Sequence, residues 1–271
     1  MFLGVFAFSA VGLHADLYMF EDGLDSLQLT EYVSGSTYTP LASGGLNDSA
    51  ALSSAFNWGQ VSTQTGQTAS FADLGVGESH TSSIYVKKSG GAFEFDPGGG
   101  GYAGFHSTSL IGLGIMDAPD THLAVDPSFS PWQALSAHVI IDANNQYYLS
   151  VYYGEDVDVV DGDTAISLLD GWYFFEVTYT RSAINQISMD VSLSSADNTG
   201  AVGASLLSLS TGGFVTQLAT SSEVYSGFIS STRAGGELVD NFLAIPEPST
   251  YAAIAGLLFL GMAIYRRRSR K

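Results

Sequence analysis

Residues 155–163 read EDVDVVDGD and place Asp156, Asp158, Asp161 and Asp163 close together along the chain. Carboxylate oxygens at such spacing can surround a hard cation, and calcium is the one that favours an all-oxygen shell. An EF-hand loop wants Asp at its first, third and fifth positions, Gly at the sixth and Glu at the twelfth. Counted from Asp156, the fifth position is Val160 and the sixth is Asp161, so that pattern fails. The four aspartates are therefore candidate metal ligands with calcium as the candidate cofactor. A solvated acidic loop between two strands is the competing reading.

A second carboxylate pair has a different use. Glycoside hydrolysis sets two carboxyl groups across a cleft. Glu176 lies in GWYFFEVTYT and Asp190 in QISMDVSL, each on the polar side of an alternating stretch. As strands, the two stretches can present both groups on one face. No E-x-D-x-x-E spacing accompanies them, and no catalytic residue is assigned. The histidines, His14, His80, His106, His122 and His138, show neither H-x-H nor H-x-x-x-H spacing. With no cysteine in the chain, thiolate catalysis, thiolate metal sites and disulfides are excluded. The DPGGGGY stretch around residues 98–101 lacks the strand-to-helix setting of a phosphate loop.

Aromatic side chains are plentiful, with Trp58, Trp132 and Trp172 beside 14 Tyr and 16 Phe. Exposed rings can stack on sugar faces, although core filling and cross-strand pairing are their commoner employment. In QYYLSVYY, residues 146–153, Tyr147, Leu149, Val151 and Tyr153 share one face, and Tyr148, Ser150 and Tyr152 the other. The second face is expected to leave a tyrosine pair accessible.

The elements that must hold these groups are strands. Period-two alternation recurs throughout the body, and helical periodicity is almost absent. Tyr173, Phe175, Val177 and Tyr179 form one wholly apolar or aromatic face, and Ile187, Met189, Val191 and Leu193 another. Residues 137–141 and 146–153 flank the polar turn DANN, which predicts an antiparallel pair. Residues 82–87 and 91–95 read as a hairpin through Lys88, Ser89 and Gly90. Residues 204–208 and 213–218 are weaker strands, and residues 237–243 close the body. Many short strands without crossover helices predict an all-β, antiparallel, two-sheet jelly-roll sandwich.

Charge divides the chain. Residues 16–244 carry four basic residues (Lys87, Lys88, Arg181, Arg233) against 26 acidic ones, a formal charge of about −22. A field of that sign repels phosphate backbones and excludes nucleic-acid partners. Five of the nine basic residues, Arg266, Arg267, Arg268, Arg270 and Lys271, close the chain instead. They follow an uncharged apolar run from Tyr251 to Tyr265, which in turn follows Pro246, Glu247 and Pro248. The prolines end any strand. The apolar run predicts a transmembrane helix at the short end of bilayer thickness, with the basic residues kept cytoplasmic. Residues 1–15 carry an apolar stretch with no preceding Lys or Arg. They read as a secretory signal lacking its first residues, with a buried strand as the alternative. The expected organisation is signal 1–15, sandwich 16–244, and tail 245–271.

Two resemblances sharpen this. LLDGWYFFEVTYT at residues 168–180 and GGELVDNF at residues 235–242 make the body resemble concanavalin A-like and laminin-G-like sandwiches. That resemblance implies a cell-surface module, structural or adhesive, with a carbohydrate-binding, calcium-assisted lectin or a glycan hydrolase as alternatives. The tail closely resembles the bacterial PEP-CTERM sorting signal: Pro246-Glu247-Pro248, then Ser249-Thr250, the apolar residues 252–264 and the basic cluster. It implies an exosortase-type membrane protease as processing partner. It also implies a body held first on the periplasmic side of the inner membrane, then at the cell surface or in the extracellular matrix, among polysaccharide.

Overall fold

A computed structural model of the chain describes residues 17–21, 23–24, 27–31, 38–54, 59–64, 70–89, 109–121, 123, 134–142, 144–153, 158–230 and 237–244. The strands are β1 (Leu17–Tyr18), β2 (Leu27–Glu31), β3 (Tyr38–Leu41), β4 (Ala51–Ser54), β5 (Gly59–Thr63), β6 (Ser79–Lys88), β7 (Ser109–Met116) and β8 (Ala134–Ile141). They continue as β9 (Tyr147–Tyr153), β10 (Asp158–Asp161), β11 (Gly171–Ala183), β12 (Gln186–Ala196), β13 (Val202–Ser210), β14 (Phe214–Val215), β15 (Tyr225–Ser230) and β16 (Leu238–Leu243). Among the described residues the only helical pieces are the 3-10 turns Leu46–Asp48 and Gln217–Thr220.

Two antiparallel sheets result. The first has nine strands, ordered β13-β12-β11-β6-β16-β4-β3, with β1 against β16 and β14 against β12. The second has seven, ordered β10-β9-β8-β7-β15-β5-β2. The chain changes sheet at every step from β1 to β7 except β3 to β4, and again between β10 and β11, β14 and β15, and β15 and β16. A single large core joins the sheets. It takes Ile84, Tyr173, Phe175, Val177 and Tyr179 from the first and Leu113, Val139, Leu149 and Val151 from the second. Phe228 of β15 sits within it against Phe20, Tyr38 and Phe242, with ring centroids 6.1, 5.4 and 5.0 Å away.

The alternation in β11 and β12 falls as the sequence predicts. Tyr173, Phe175, Val177, Tyr179, Ile187, Met189, Val191 and Leu193 all face the core. β11 pairs with β6 over ten consecutive positions, from Gly171 opposite Lys88 to Thr180 opposite Ser79. The expected pair of residues 137–141 and 146–153 is β8 with β9.

Two expectations change. β6 has β11 on one side and β16 on the other, so neither edge is left for the hairpin partner at residues 91–95. Those residues lie outside the described ones. The segment 213–218 is a strand only at Phe214–Val215. After it, the Thr216 hydroxyl accepts the Leu218 amide at 3.2 Å and starts a 3-10 turn, the usual work of a capping hydroxyl. The expected closing strand at residues 237–243 is β16, the last strand described. It lies inside the first sheet, between β6 and β4.

Among the described residues, no helix is long and apolar enough to cross a membrane. Residues 1–15 and 245–271, the expected signal and sorting tail, lie outside the described residues.

Candidate functional site

Two aspartates of the acidic loop have described side chains, Asp161 and Asp163. Asp161 ends β10, and its Oδ1 accepts the Ser150 hydroxyl at 2.6 Å. Asp163 is exposed beyond the strand. Asp158 is described only by its backbone, and Asp156 lies outside the described residues. Among the described residues no three His, Asp or Glu side chains gather as a metal cage.

Glu176 and Asp190 do share the outward face of the first sheet. Glu176 stands opposite Ser192 and Thr178 opposite Asp190, which makes the two carboxyls diagonal neighbours. The surroundings are hydroxyls: Ser210 donates to Asp190 at 2.6 Å, and Thr81 bonds Thr178 at 2.9 Å. Burial pushes the Glu176 carboxyl above its ordinary range.

The accessible tyrosine pair is overturned. Tyr148 and Tyr152 lie on the face opposite Tyr147, as expected, but both are buried, clustered with Ile140. Burial pushes the Tyr152 hydroxyl up to about 12. This outer face of the second sheet carries Asp161, Ser150, His138, Gly112, Ile229, Gln60 and Thr30 as one row in register, polar except at Gly112 and Ile229. Segment 117–123 crosses the face. Gln60 donates to the Thr121 carbonyl and accepts the Leu123 amide, both at 2.8 Å. Ser62 donates to the Pro119 carbonyl at 2.7 Å and Ser136 to the Leu123 carbonyl at 2.8 Å. His138 bonds Ser136 at 3.0 Å and packs its ring edge-on to Tyr152. Gly114 supplies the clearance, since a Cβ there would lie 2.3 Å from Leu123. These polar groups spend their hydrogen bonds on the chain's own strap, which gives a buried polar face the partners it must have.

The open site lies at one end of the first sheet. A cavity of about 300 Å³, at the low end for small-molecule sites, is lined by Gly44, Gly45, Asn47, Asp48, Lys87, Trp172, Asn198 and Thr199. Lys87 and Trp172 are cross-strand partners, and the ammonium stands 5.6 Å from the indole centroid, a cation–π distance. The neighbouring Lys88 is neutralised by Asp170 at 2.8 Å. Among the described residues no carboxylate forms an ion pair with Lys87.

Two turns complete the rim. Asn47 and Asp48 hold left-handed backbone, with φ of 53° and 61°, a region Asn and Asp enter more readily than most residues. Asn47 donates its amide to the Asn198 carbonyl at 2.7 Å. Its side chain donates to the Thr199 carbonyl at 3.3 Å, locking the turns together. In the second turn, Thr199 donates its hydroxyl and amide to Asp197 at 2.6 and 2.8 Å. With the Ala201 amide they hold that carboxyl below its usual range. Tyr85 of β6 donates to the Gly200 carbonyl at 2.8 Å and fixes the turn to the sheet.

Beneath the cavity, buried Asp240 of β16 accepts the Leu46 amide and the Ser49 hydroxyl, both at 2.8 Å. Burial raises its carboxyl above the ordinary value, against these donors. Its hydrogen bonds to Leu46 and Ser49 pin the loop to β16, while the nearby Glu21 carboxylate adds to the rise. Gly45 is required there, because a Cβ would stand 2.5 Å from the carboxylate oxygen.

The sequence reading missed this constellation. Lys87 and Trp172 are far apart in the chain, and only the β6–β11 register brings them together. The DNF run was noticed, but only as part of the closing strand.

No protein-family model matches the chain. No curated protein matches it either. Among solved structures, the globular domain of T. cruzi calreticulin is similar over 92% of this chain and 99% of that one, at 12% identity and a TM-score of 0.49. A carbohydrate esterase from the Shiga toxin-encoding bacteriophage phi24B is similar over 87% and 100%, at 11% identity and a TM-score of 0.47. The marine alginate lyase from Aplysia kurodai is similar over 83% and 92%, at 8% identity and a TM-score of 0.46.

Proposed function

We propose that the chain is an exported cell-surface or matrix protein whose concanavalin A-like body binds a saccharide at the Lys87–Trp172 cavity without cleaving it. The observation that carries this reading is the cavity itself. It offers one ammonium, one carboxylate, two side-chain amides, a threonine and an indole around a space of about 300 Å³. Hydroxyl-rich ligands need such a mixture of donors and acceptors beside an apolar wall. The outer face of the second sheet is less suited to the task, because its own strap takes up its polar groups.

The tail supports the location. In this reading an exosortase-type enzyme acts at Pro246-Glu247-Pro248, the apolar run holds the chain in the membrane beforehand, and Arg266, Arg267, Arg268, Arg270 and Lys271 stay inside. Mass spectrometry of the native C-terminus tests it: a basic cluster intact on every molecule removes the processing step.

Binding is tested with the full chain on neutral and uronic oligosaccharides, with calcium and with a chelator. The expected result is binding that weakens at least about tenfold in Lys87→Ala and in Asp48→Ala, a change of about 1.4 kcal/mol. Unchanged affinity in both variants, or no binding by the parent protein, overturns the reading. Loss of binding in chelator alone would assign calcium a part in it.

A further inference from the structure

Asp240 is buried, and the loop that forms the cavity rim hangs from it. Its Oδ2 accepts the Leu46 amide and the Ser49 hydroxyl, both at 2.8 Å, and its Oδ1 accepts the neighbouring Asn241 amide at 2.7 Å. Each bond needs an oxygen that accepts, whereas a protonated carboxyl must donate at one of its oxygens. An amide cannot reverse a hydrogen bond, but a hydroxyl can. Ser49 already has a second acceptor, the Ala50 carbonyl at 3.3 Å. With a proton on Oδ2, Asp240 donates to the Ser49 oxygen, and the Ser49 hydroxyl turns wholly to Ala50. The Leu46 amide then faces a carboxylic hydroxyl in place of a carboxylate, a much poorer acceptor. The consequence reaches the cavity directly. Gly44, Gly45, Asn47 and Asp48 of this loop are four of its eight lining residues. Asn47 carries the movement to the second turn through the Asn198 and Thr199 carbonyls.

We propose that Asp240 is a proton switch for the cavity: as a carboxylate it holds the rim in place, and on taking up a proton it releases the Leu46 turn and the rim loosens. As a control on ligand binding, this rests on the reading of the cavity as the saccharide site.

The groups around Asp240 set where it switches. Glu21, from the segment after β1, opposes its charge. On β6, Tyr85 stands opposite it with its hydroxyl spent on the Gly200 carbonyl, and Lys87 stands two positions along, opposite Leu238. β4, on the other side of β16, carries no titratable residue. In the rim turns, Asp48 takes the Gly44 amide and Asp197 the Thr199 amide. Burial, with Glu21, raises the Asp240 carboxyl above its ordinary value of 3.8, against its three donors. The fold therefore has this group's full contribution below 3.8 and loses it as pH rises through the raised value. The rim follows the opposite sign: it is held above the raised value and released below it. Acidification thus weakens binding while this group adds to global stability, which separates the switch from acid unfolding.

The test follows the Leu46 and Asn47 amide signals by NMR between pH 7 and pH 4, in the full chain in one detergent. Affinity for neutral oligosaccharides, which do not themselves titrate, is measured over the same range. The two amides are expected to shift together on acidification, and affinity to fall at least about tenfold. Asp240→Asn carries no charge at either pH and is expected to bind weakly and equally at both. Glu21→Gln removes a raising charge and is expected to move the Leu46 midpoint down. Ser49→Ala removes a lowering hydrogen bond and is expected to move it up. Both keep Asp240, so they decide the matter even if Asp240→Asn does not fold. A Leu46 amide that does not titrate, or a midpoint that neither variant moves, overturns the switch. An Asp240→Asn protein whose affinity still falls on acidification assigns the effect to Asp48 and overturns it as well. Affinity constant with pH overturns the switch and leaves the saccharide reading intact. Titrating amides in a chain that binds no oligosaccharide remove that reading and leave the switch standing.

Discussion

From Tyr173 to Thr180 of β11, inward residues are buried and outward ones half-exposed in turn, whereas every residue of β7 is buried. The same contrast separates the sheets. In the first, one face packs on the core and the other meets solvent, so carboxylates such as Glu176 and Asp190 stand among hydroxyls. In the second, β5, β7 and β15 are buried on both faces, and outer Gln60, Ser62 and Ser136 hold down the backbone of Pro119, Thr121 and Leu123. A polar residue on a sheet face thus has two meanings. On the first sheet it is tolerated by water. On the second it is a fastener, and removing it would leave a buried group unpaired. The difference also explains why the open cavity forms at the end of the first sheet, where side chains and turns project without a cover.

The largest test concerns what the sheets have in common. Phe228→Ala removes a ring with no solvent exposure from between them. Denaturant unfolding is expected to show a loss of about 3–5 kcal/mol; a loss below about 1 kcal/mol would mean that the shared core is not closely packed there.

The contrast itself is tested by overpacking the second sheet. Gly114→Ala drives a Cβ into Leu123 and the Leu135 carbonyl, 2.3 and 2.8 Å away. The expected cost is about 1–3 kcal/mol in the same measurement, with proteolysis near residue 121 accelerated. If the variant is as stable and as protease-resistant as the parent, the strap does not pack on that face.

The smallest effect belongs to the solvated face. Glu176 has its carboxyl raised by burial, so the folded state prefers its protonated form. Its contribution is fully present below the ordinary value of 4.5 and is lost as pH rises through the raised value. Glu176→Gln is therefore expected to gain on the parent between pH 4 and pH 7, by about 0.5 kcal/mol or less. Thermal melting at the two pH values reads the difference. A variant that instead loses ground at pH 7 would give the Glu176 carboxylate a stabilising partner.

This contrast also governs how much the sequence revealed. Where one face is wet, apolar and polar residues alternate, and the inward sets of β11 and β12 were legible residue by residue. β9 alternates too, yet Tyr148 and Tyr152 are buried, because alternation identifies two faces without saying what covers the second. β7 reads SLIGLGIM, where glycines replace large side chains for clearance under a strap that local sequence does not announce. The cavity was illegible for another reason. Lys87, Trp172, Asn47 and Asn198 meet through strand register and two left-handed turn residues, and neither follows from periodicity. The acidic run was conspicuous, but Asp156 and the side chain of Asp158 lie outside the described residues.

The interior place of β16 has a consequence for the order of events during assembly. Until residues 238–243 are delivered, the first sheet exists as two unjoined parts, β13-β12-β11-β6 and β4-β3, each with a raw inner edge. Its partners in β4 and β6 lie far back along the chain, which makes this a slow, high-contact-order step. The body therefore cannot be finished piecemeal from its N-terminus. Its last strand works as a keystone, and the stretch that sets it is the one immediately before the tail. A chain cut short by a few residues there would lose the whole joint, along with the Asp240 clamp that shapes the cavity.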